Sequence, residues 1–89
     1  MISRPVKDRA NFDELKKLVE ESGLIVINIC IDKDGRVVFA EYNDDESTIH
    51  SSYLAAESER LAKTIRYHKD YTAASRDCGK FRFRIKNLE

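Results

Sequence analysis

The chain has 89 residues, of which 36% are charged, and its 16 acidic and 16 basic residues cancel to no net formal charge. That length fits one small domain burying about 60–65% of its unfolded surface, so the core must be thin. The neutral balance removes an overall electrostatic case for nucleic-acid or membrane binding. No apolar run is long enough to cross a bilayer, and the first eight residues hold no apolar signal-peptide core. Taken as it stands, the sequence reads as cytosolic or as a piece of a larger protein. Its charge is uneven: 32–46 is mainly acidic, while 80–86 carries bases and no acid.

Residues 1–10 are polar, contain the only proline, and read as an N-terminal arm or a short strand. Asn11 has the character of a helix N-cap, with Glu14 as the return half of a capping box. Phe12, Leu15, Leu18 and Val19 would share one helical face, and Gly23 would end the helix in the left-handed conformation. The spacing therefore predicts a first helix over Phe12–Ser22. Next, Ile25, Ile27, Ile29 and Ile31 alternate without a break, which places four β-branched side chains on one face of a strand. Asp34-Gly35 supplies the positive-φ residues of a tight turn. Val38, Ala40 and Tyr42 continue the alternation on the return strand, giving a hairpin over about 24–32 and 36–43.

An acidic, then Ser/Thr-rich loop follows over 43–52. Ser51 can cap a second helix whose inner stripe is Leu54, Ser58, Leu61, Ala62 and Ile65. Residues 67–77 read as a polar loop. In the final strand, 79–86, Phe81, Phe83 and Ile85 alternate with Lys80, Arg82, Arg84 and Lys86.

The order helix–strand–strand–helix–strand gives an α+β fold, α-β-β-α-β. A right-handed crossover would put the third strand beside the first. The expectation is a three-stranded antiparallel sheet of order 2-1-3, both helices on the face bearing the isoleucines, and the last strand left as an open edge. The phenylalanines of that strand are expected in the core. Cys30, near the end of the first strand, and Cys78, at the start of the third, would meet on the helix-free face. A disulfide and two free thiols both fit that placement, the bond requiring an oxidising compartment and suitable geometry.

One family has a similar order of motifs. Gly23-x-Ile-x-Ile-x-Ile-x-Ile-Asp-x-Asp-Gly-Arg-Val comes first, then Ala40, a Ser/Thr-rich loop, Leu54 among small residues, Ile65-Arg-Tyr67, and Cys78-Gly79-x-Phe81-x-Phe83. This run, Gly23 through Ile85, resembles the C-terminal domain of TonB-type energy transducers, in particular Bacteroidetes-like variants. The resemblance implies a domain covering 11–89 that is periplasmic and is tied to the inner membrane in the full-length protein. It implies two partners: an outer-membrane TonB-dependent transporter and, through an upstream region, a proton-driven inner-membrane motor complex. It also implies a mechanism in which the transporter's N-terminal box peptide adds as a strand beside Lys80, Phe81, Arg82, Phe83, Arg84, Ile85 and Lys86, and motor-derived force passes through that contact for uptake. No cofactor and no metal are expected. Open strand edges would also invite pairing with a second copy of the chain.

Other functions fit less well. His50, His68, Asp44-Asp45-Glu46, Ser47, Ser51 and Ser52 are the only candidates for chemistry; they form no known catalytic arrangement, and with the cysteines the histidines give no zinc-ligand spacing. Catalysis is not expected. An RNA-recognition fold would need a basic-Gly-aromatic-small-aromatic strand. The corresponding stretch is Gly35-Arg36-Val37-Val38-Phe39, where only Phe39 fits, so nucleic acid is not an expected partner. A TonB-like fold serving as a sensor or cell-envelope interaction module is the remaining alternative, because fold does not fix function.

Overall fold

A computed structural model of the chain describes residues 5–19, 21–72 and 76–86. Residues 1–4 of the expected arm, Glu20 of the expected first helix, 73–75 of the expected polar loop and the last three residues lie outside it. In chain order the elements are β1 (Val6–Asp8), a 3-10 helix (Phe12–Lys17), β2 (Gly23–Ile31), β3 (Val37–Tyr42), α1 (Ser52–Ala62), β4 (Arg66–Tyr67) and β5 (Asp77–Ile85). The class is α+β with antiparallel strands. In detail the strands divide into two sheets: a long one of order β3-β2-β5 and a short pair, β1-β4. The sequence allows a short strand within residues 1–10, but it does not anticipate β4 or its pairing with β1.

The isoleucine alternation organises the larger sheet. Ile25, Ile27, Ile29 and Ile31 are all essentially inaccessible and join Leu15, Ile49, Leu54, Ile65 and Ile85 in one core. The hairpin turn differs from the expected pair of positive-φ residues, since only Gly35 (φ +84°) enters that region. The Gly35 N–H donates to the Asp32 carbonyl at 3.1 Å and the Asp32 N–H to the Arg36 carbonyl at 3.0 Å. The Arg36 N–H also donates to the Asp32 carboxylate at 2.9 Å. These bonds describe a three-residue loop closed by a glycine bulge, which needs one left-handed residue rather than two.

A second irregularity corrects the return strand. Cys30 faces Phe39 and Ile31 faces Val37, so the register skips Val38. The skip resets the alternation: Val37 and Tyr42 are buried with Ala40 packed against the core, while Val38 is 45% and Phe39 41% exposed.

The second helix follows the sequence closely. The Ser51 hydroxyl accepts from the Leu54 N–H at 3.3 Å, closing the N-terminus. Leu54, Ser58, Leu61 and Ala62 are its buried positions, with Ile65 buried just beyond it. The Ser58 hydroxyl, with no access to water, donates to the Leu54 carbonyl at 2.7 Å and so avoids the cost of an unpaired buried polar group.

The first helix is the larger departure. The Asn11 side chain does cap it, accepting from the Asp13 N–H at 3.3 Å. The segment is 3-10 rather than α, however, and runs only to Lys17. Phe12 and Leu15 are its buried anchors, and two anchors three residues apart suit a turn of three residues. Leu18, expected inside, is 39% exposed. Gly23 does not stop the helix in a left-handed conformation but opens β2. A Cβ there would sit 2.5 Å from the Thr48 hydroxyl and 2.7 Å from the Ile49 side chain, so any larger residue would force those side chains to move.

The short sheet ties the arm to the body. Val6 pairs with Tyr67, the His68 N–H donates to the Pro5 carbonyl at 3.2 Å, and the Tyr67 N–H reaches back to the Gly35 carbonyl at 2.8 Å. β1 therefore docks beside the hairpin turn, at one end of the larger sheet.

Candidate functional site: the outer edge of the last strand

Backbone direction along β5 follows from the other side of β2. The Val26 N–H donates to the Ser47 hydroxyl at 2.9 Å, and the Val26 carbonyl accepts from the Asn43 N–H at 2.8 Å. Leu24 donates to the Thr48 hydroxyl at 2.8 Å and accepts from the Thr48 N–H at 2.9 Å. Both residues thus turn their backbone groups away from β5, where they face Arg82 and Arg84. In an antiparallel ladder, pairs that exchange hydrogen bonds alternate with narrow pairs that do not. Val26–Arg82 and Leu24–Arg84 are narrow, and so, two residues further each time, are Asn28–Lys80 and Cys30–Cys78. The 4.0 Å Cα–Cα separation of the two cysteines agrees. Lys80, Arg82 and Arg84 therefore direct N–H and C=O outward, while Phe81 and Phe83 spend theirs on β2.

Among the described residues no strand borders that outward side. It carries a row of donors and acceptors without a strand partner among the described residues, which is the chemistry that recruits another extended chain.

The two faces of β5 differ in kind. On one face Lys80, Arg82 and Arg84 are exposed. Glu46, from the loop after β3, ion-pairs with the Lys80 ammonium and lies 3.8 Å from the Arg82 guanidinium. The hydrogen bond from Lys80, with the charges of Lys80 and Arg82 beside it, holds the Glu46 carboxyl below the usual carboxylate range. Among the described residues, no acid pairs with Arg84 or Lys86.

The opposite face is apolar. Phe81 and Phe83, expected in the core, are half-buried and form the wall of a groove; only Ile85 is fully enclosed. The cause is that the helix laid against them is the short 3-10 segment, which covers them with one ring. Phe12 stacks on Phe81 at 5.0 Å between centroids and meets Phe83 at 5.3 Å. Between this trio and the arm runs an open groove of about 330 Å³, with Val6, Ala10 and Ile65 as its other apolar walls. Sequence reading missed Phe12, Val6 and Ala10 as site residues. An aromatic at the start of a helix is an ordinary core signal, and nothing local says which strand it will meet.

Cys30 and Cys78 form a disulfide across β2 and β5, on the face away from the isoleucines. It closes a loop with a sequence separation of 48 and fixes the start of β5 in register.

The residues considered for chemistry do not converge. Ser47 is buried and holds Val26; Ser51 caps α1; His50 lies 3.7 Å from Asp44 with both side chains mostly exposed. Among the described residues no group of three or more His, Cys, Asp or Glu is placed to hold a metal ion. Burial raises the Tyr42 and Tyr67 phenols above their ordinary value, Asp77 adding to the effect at Tyr67. The Tyr42 hydroxyl is committed to the Ile49 carbonyl at 2.6 Å, a packing role.

No protein-family model, curated protein or solved structure matches the chain.

Proposed function

We propose that this is a peptide-binding interaction domain that takes up an extended segment of a partner as an additional strand beside β5. The observation that carries the reading is the outward orientation of the Lys80, Arg82 and Arg84 backbone groups on an edge that no strand borders among the described residues. Strand addition is a general recognition mode: main-chain bonds give affinity, and alternate side chains give specificity. Each bond is worth about 1 kcal/mol net. A handful of them, less the cost of ordering a flexible peptide, yields affinities of roughly micromolar to millimolar.

The motif order shared with TonB-type transducers makes the reading more specific. The partner is then the N-terminal box peptide of an outer-membrane transporter, the compartment is the periplasm, and the contact carries motor-derived force. The Cys30–Cys78 bond is compatible with such a compartment. A clasp pulled along the strand axis would load its hydrogen bonds together, which suits brief force transmission through a weak complex.

Proline substitution tests the edge. Arg82→Pro removes an outward N–H and should leave a folded domain that no longer adds a peptide strand, read by circular dichroism and by peptide titration. Phe83→Pro removes an inward N–H and should unfold the sheet. Equal loss of folding in both variants would show that β5 is bordered on both sides and would end this reading.

A further inference from the structure

The two faces of β5 also specify what kind of segment can add. This inference rests on the strand-addition reading and goes beyond it to the partner's side chains. An added strand places residues opposite Phe81 and Phe83 on the groove side and residues opposite Lys80, Arg82 and Arg84 on the charged side. If it runs antiparallel, as both existing ladders of the sheet do, the outward bonds of Lys80, Arg82 and Arg84 become hydrogen-bonded pairs. The positions opposite Phe81 and Phe83 then become narrow pairs, where side chains approach most closely. On that face Phe81 and Phe83 line the groove they share with Phe12, whose lining also includes the charged Arg9 and Asp13.

The charged face is not uniform either. Glu46 already neutralises Lys80 and approaches Arg82. Arg84 and Lys86 have no acidic partner among the described residues. Among the described residues, the positive charge without an acidic partner therefore lies at one end of the edge, where it can sense direction and register as well as sign.

We infer that the edge selects a strand entering antiparallel with an acidic residue opposite Arg84 and apolar residues opposite Phe83 and Phe81. Read from its N-terminus, such a segment runs acidic–apolar–polar–apolar. The apolar pair fills the groove that the short 3-10 helix leaves uncovered. The acid reaches Arg84, while an acid opposite Lys80 would meet the carboxylate of Glu46.

Three synthetic peptides with blocked termini test this, each titrated into the full chain while backbone amide shifts and anisotropy are followed. The first carries the pattern above, the second has both apolar residues replaced by serine, and the third moves the acid to the far end, opposite Lys80. The first should bind most tightly. The second should lose about tenfold or more, as expected for losing two partly buried apolar side chains. The third should lose roughly threefold, in keeping with an exposed ion pair, and Arg84→Gln should abolish that difference. The amides of Lys80, Arg82 and Arg84 should shift most. Equal binding of all three peptides with those amides still shifting would overturn the side-chain code while leaving strand addition intact. A preference of the reverse sign, or one unchanged in Arg84→Gln, would overturn the assignment to that end. Absence of shifts along β5 with every peptide would sink strand addition and the code with it.

Discussion

The two outer edges of the larger sheet are built from similar material and finished in opposite ways. The β3 edge is covered at its two ends. Glu59 of α1 accepts the Tyr42 N–H at 2.8 Å, the Arg36 backbone bridges to Arg66, and the Gly35 carbonyl takes the Tyr67 N–H. The skipped residue Val38 further breaks the regularity that another strand would need. The β5 edge has nine residues in unbroken register with β2 and, among the described residues, no such cover. Among the described residues its protection is positive charge, which discourages pairing with a like-charged copy but does not obstruct an acidic strand. One domain thus shows one edge guarded by capped ends and a bulge, and another guarded by charge.

The comparison depends first on the covalent link that pins β5. Replacing Cys30 and Cys78 together by serine should cost about 4 kcal/mol in the chain-entropy model for a loop of this length. That is a large share of the roughly 4–13 kcal/mol expected for a domain of this size. Urea unfolding would measure the loss. Hydrogen exchange should show β5 amides losing protection before those of β3; equal loss would mean the two edges open as one unit. Gly35→Ala attacks the cover at one end of the β3 side instead. The residue has a positive φ, and an added Cβ would lie 2.0 Å from the Tyr67 carbonyl oxygen. The expected cost is about 2–4 kcal/mol, with exchange now rising first at β4 and the hairpin turn.

These positions also show how much could be read from residues alone. The isoleucine strand and the capped helix were legible because each depends on local periodicity and one side chain at its start. The α+β class followed from their order. The bulge at Val38 was not legible: Val37, Val38 and Phe39 are all apolar, and only pairing with Cys30 and Ile31 decides which of them turns out. The short sheet was hidden because Arg66-Tyr67 has no strand signal of its own and pairs only where the arm and the hairpin turn converge. At the candidate site, the alternating bases and aromatics named the strand. The groove needed the knowledge that the first helix is short and that Phe12, far off in sequence, closes over Phe81.

A gentler intervention addresses the cover itself. Glu59→Ala removes the acceptor of the Tyr42 N–H and should cost about 1–2 kcal/mol, the usual range for stranding a partly buried donor that can regain some contact with water. Thermal unfolding would register it. The same variant asks whether closing an edge takes one side chain: a peptide that shifts only β5 amides in the parent chain should begin to perturb Tyr42 if Glu59 is the decisive cover. If Tyr42 stays silent, helix packing and the bulge suffice.

The smallest expected effect concerns the carboxylate beside the open edge. Glu46 titrates below its unfolded value because Lys80 hydrogen-bonds its charged form. A depressed folded value means that its contribution is fully present above the ordinary carboxylate range. It is lost as pH falls through the folded value, since below both values the proton is bound in the folded and unfolded chains alike. The group is solvent-exposed, so salt should shrink the shift and its effect on stability should be slight. Following the Glu46 carboxyl by NMR should give a midpoint under that of a free glutamate, returning toward it in Lys80→Gln. At neutral pH Glu46→Gln should leave folding unchanged yet free the charges of Lys80 and Arg82. A strand with its acid opposite Lys80 should then bind about as well as one with its acid opposite Arg84. Direction-sensing along the edge would in that case reside in one surface glutamate rather than in β5 itself.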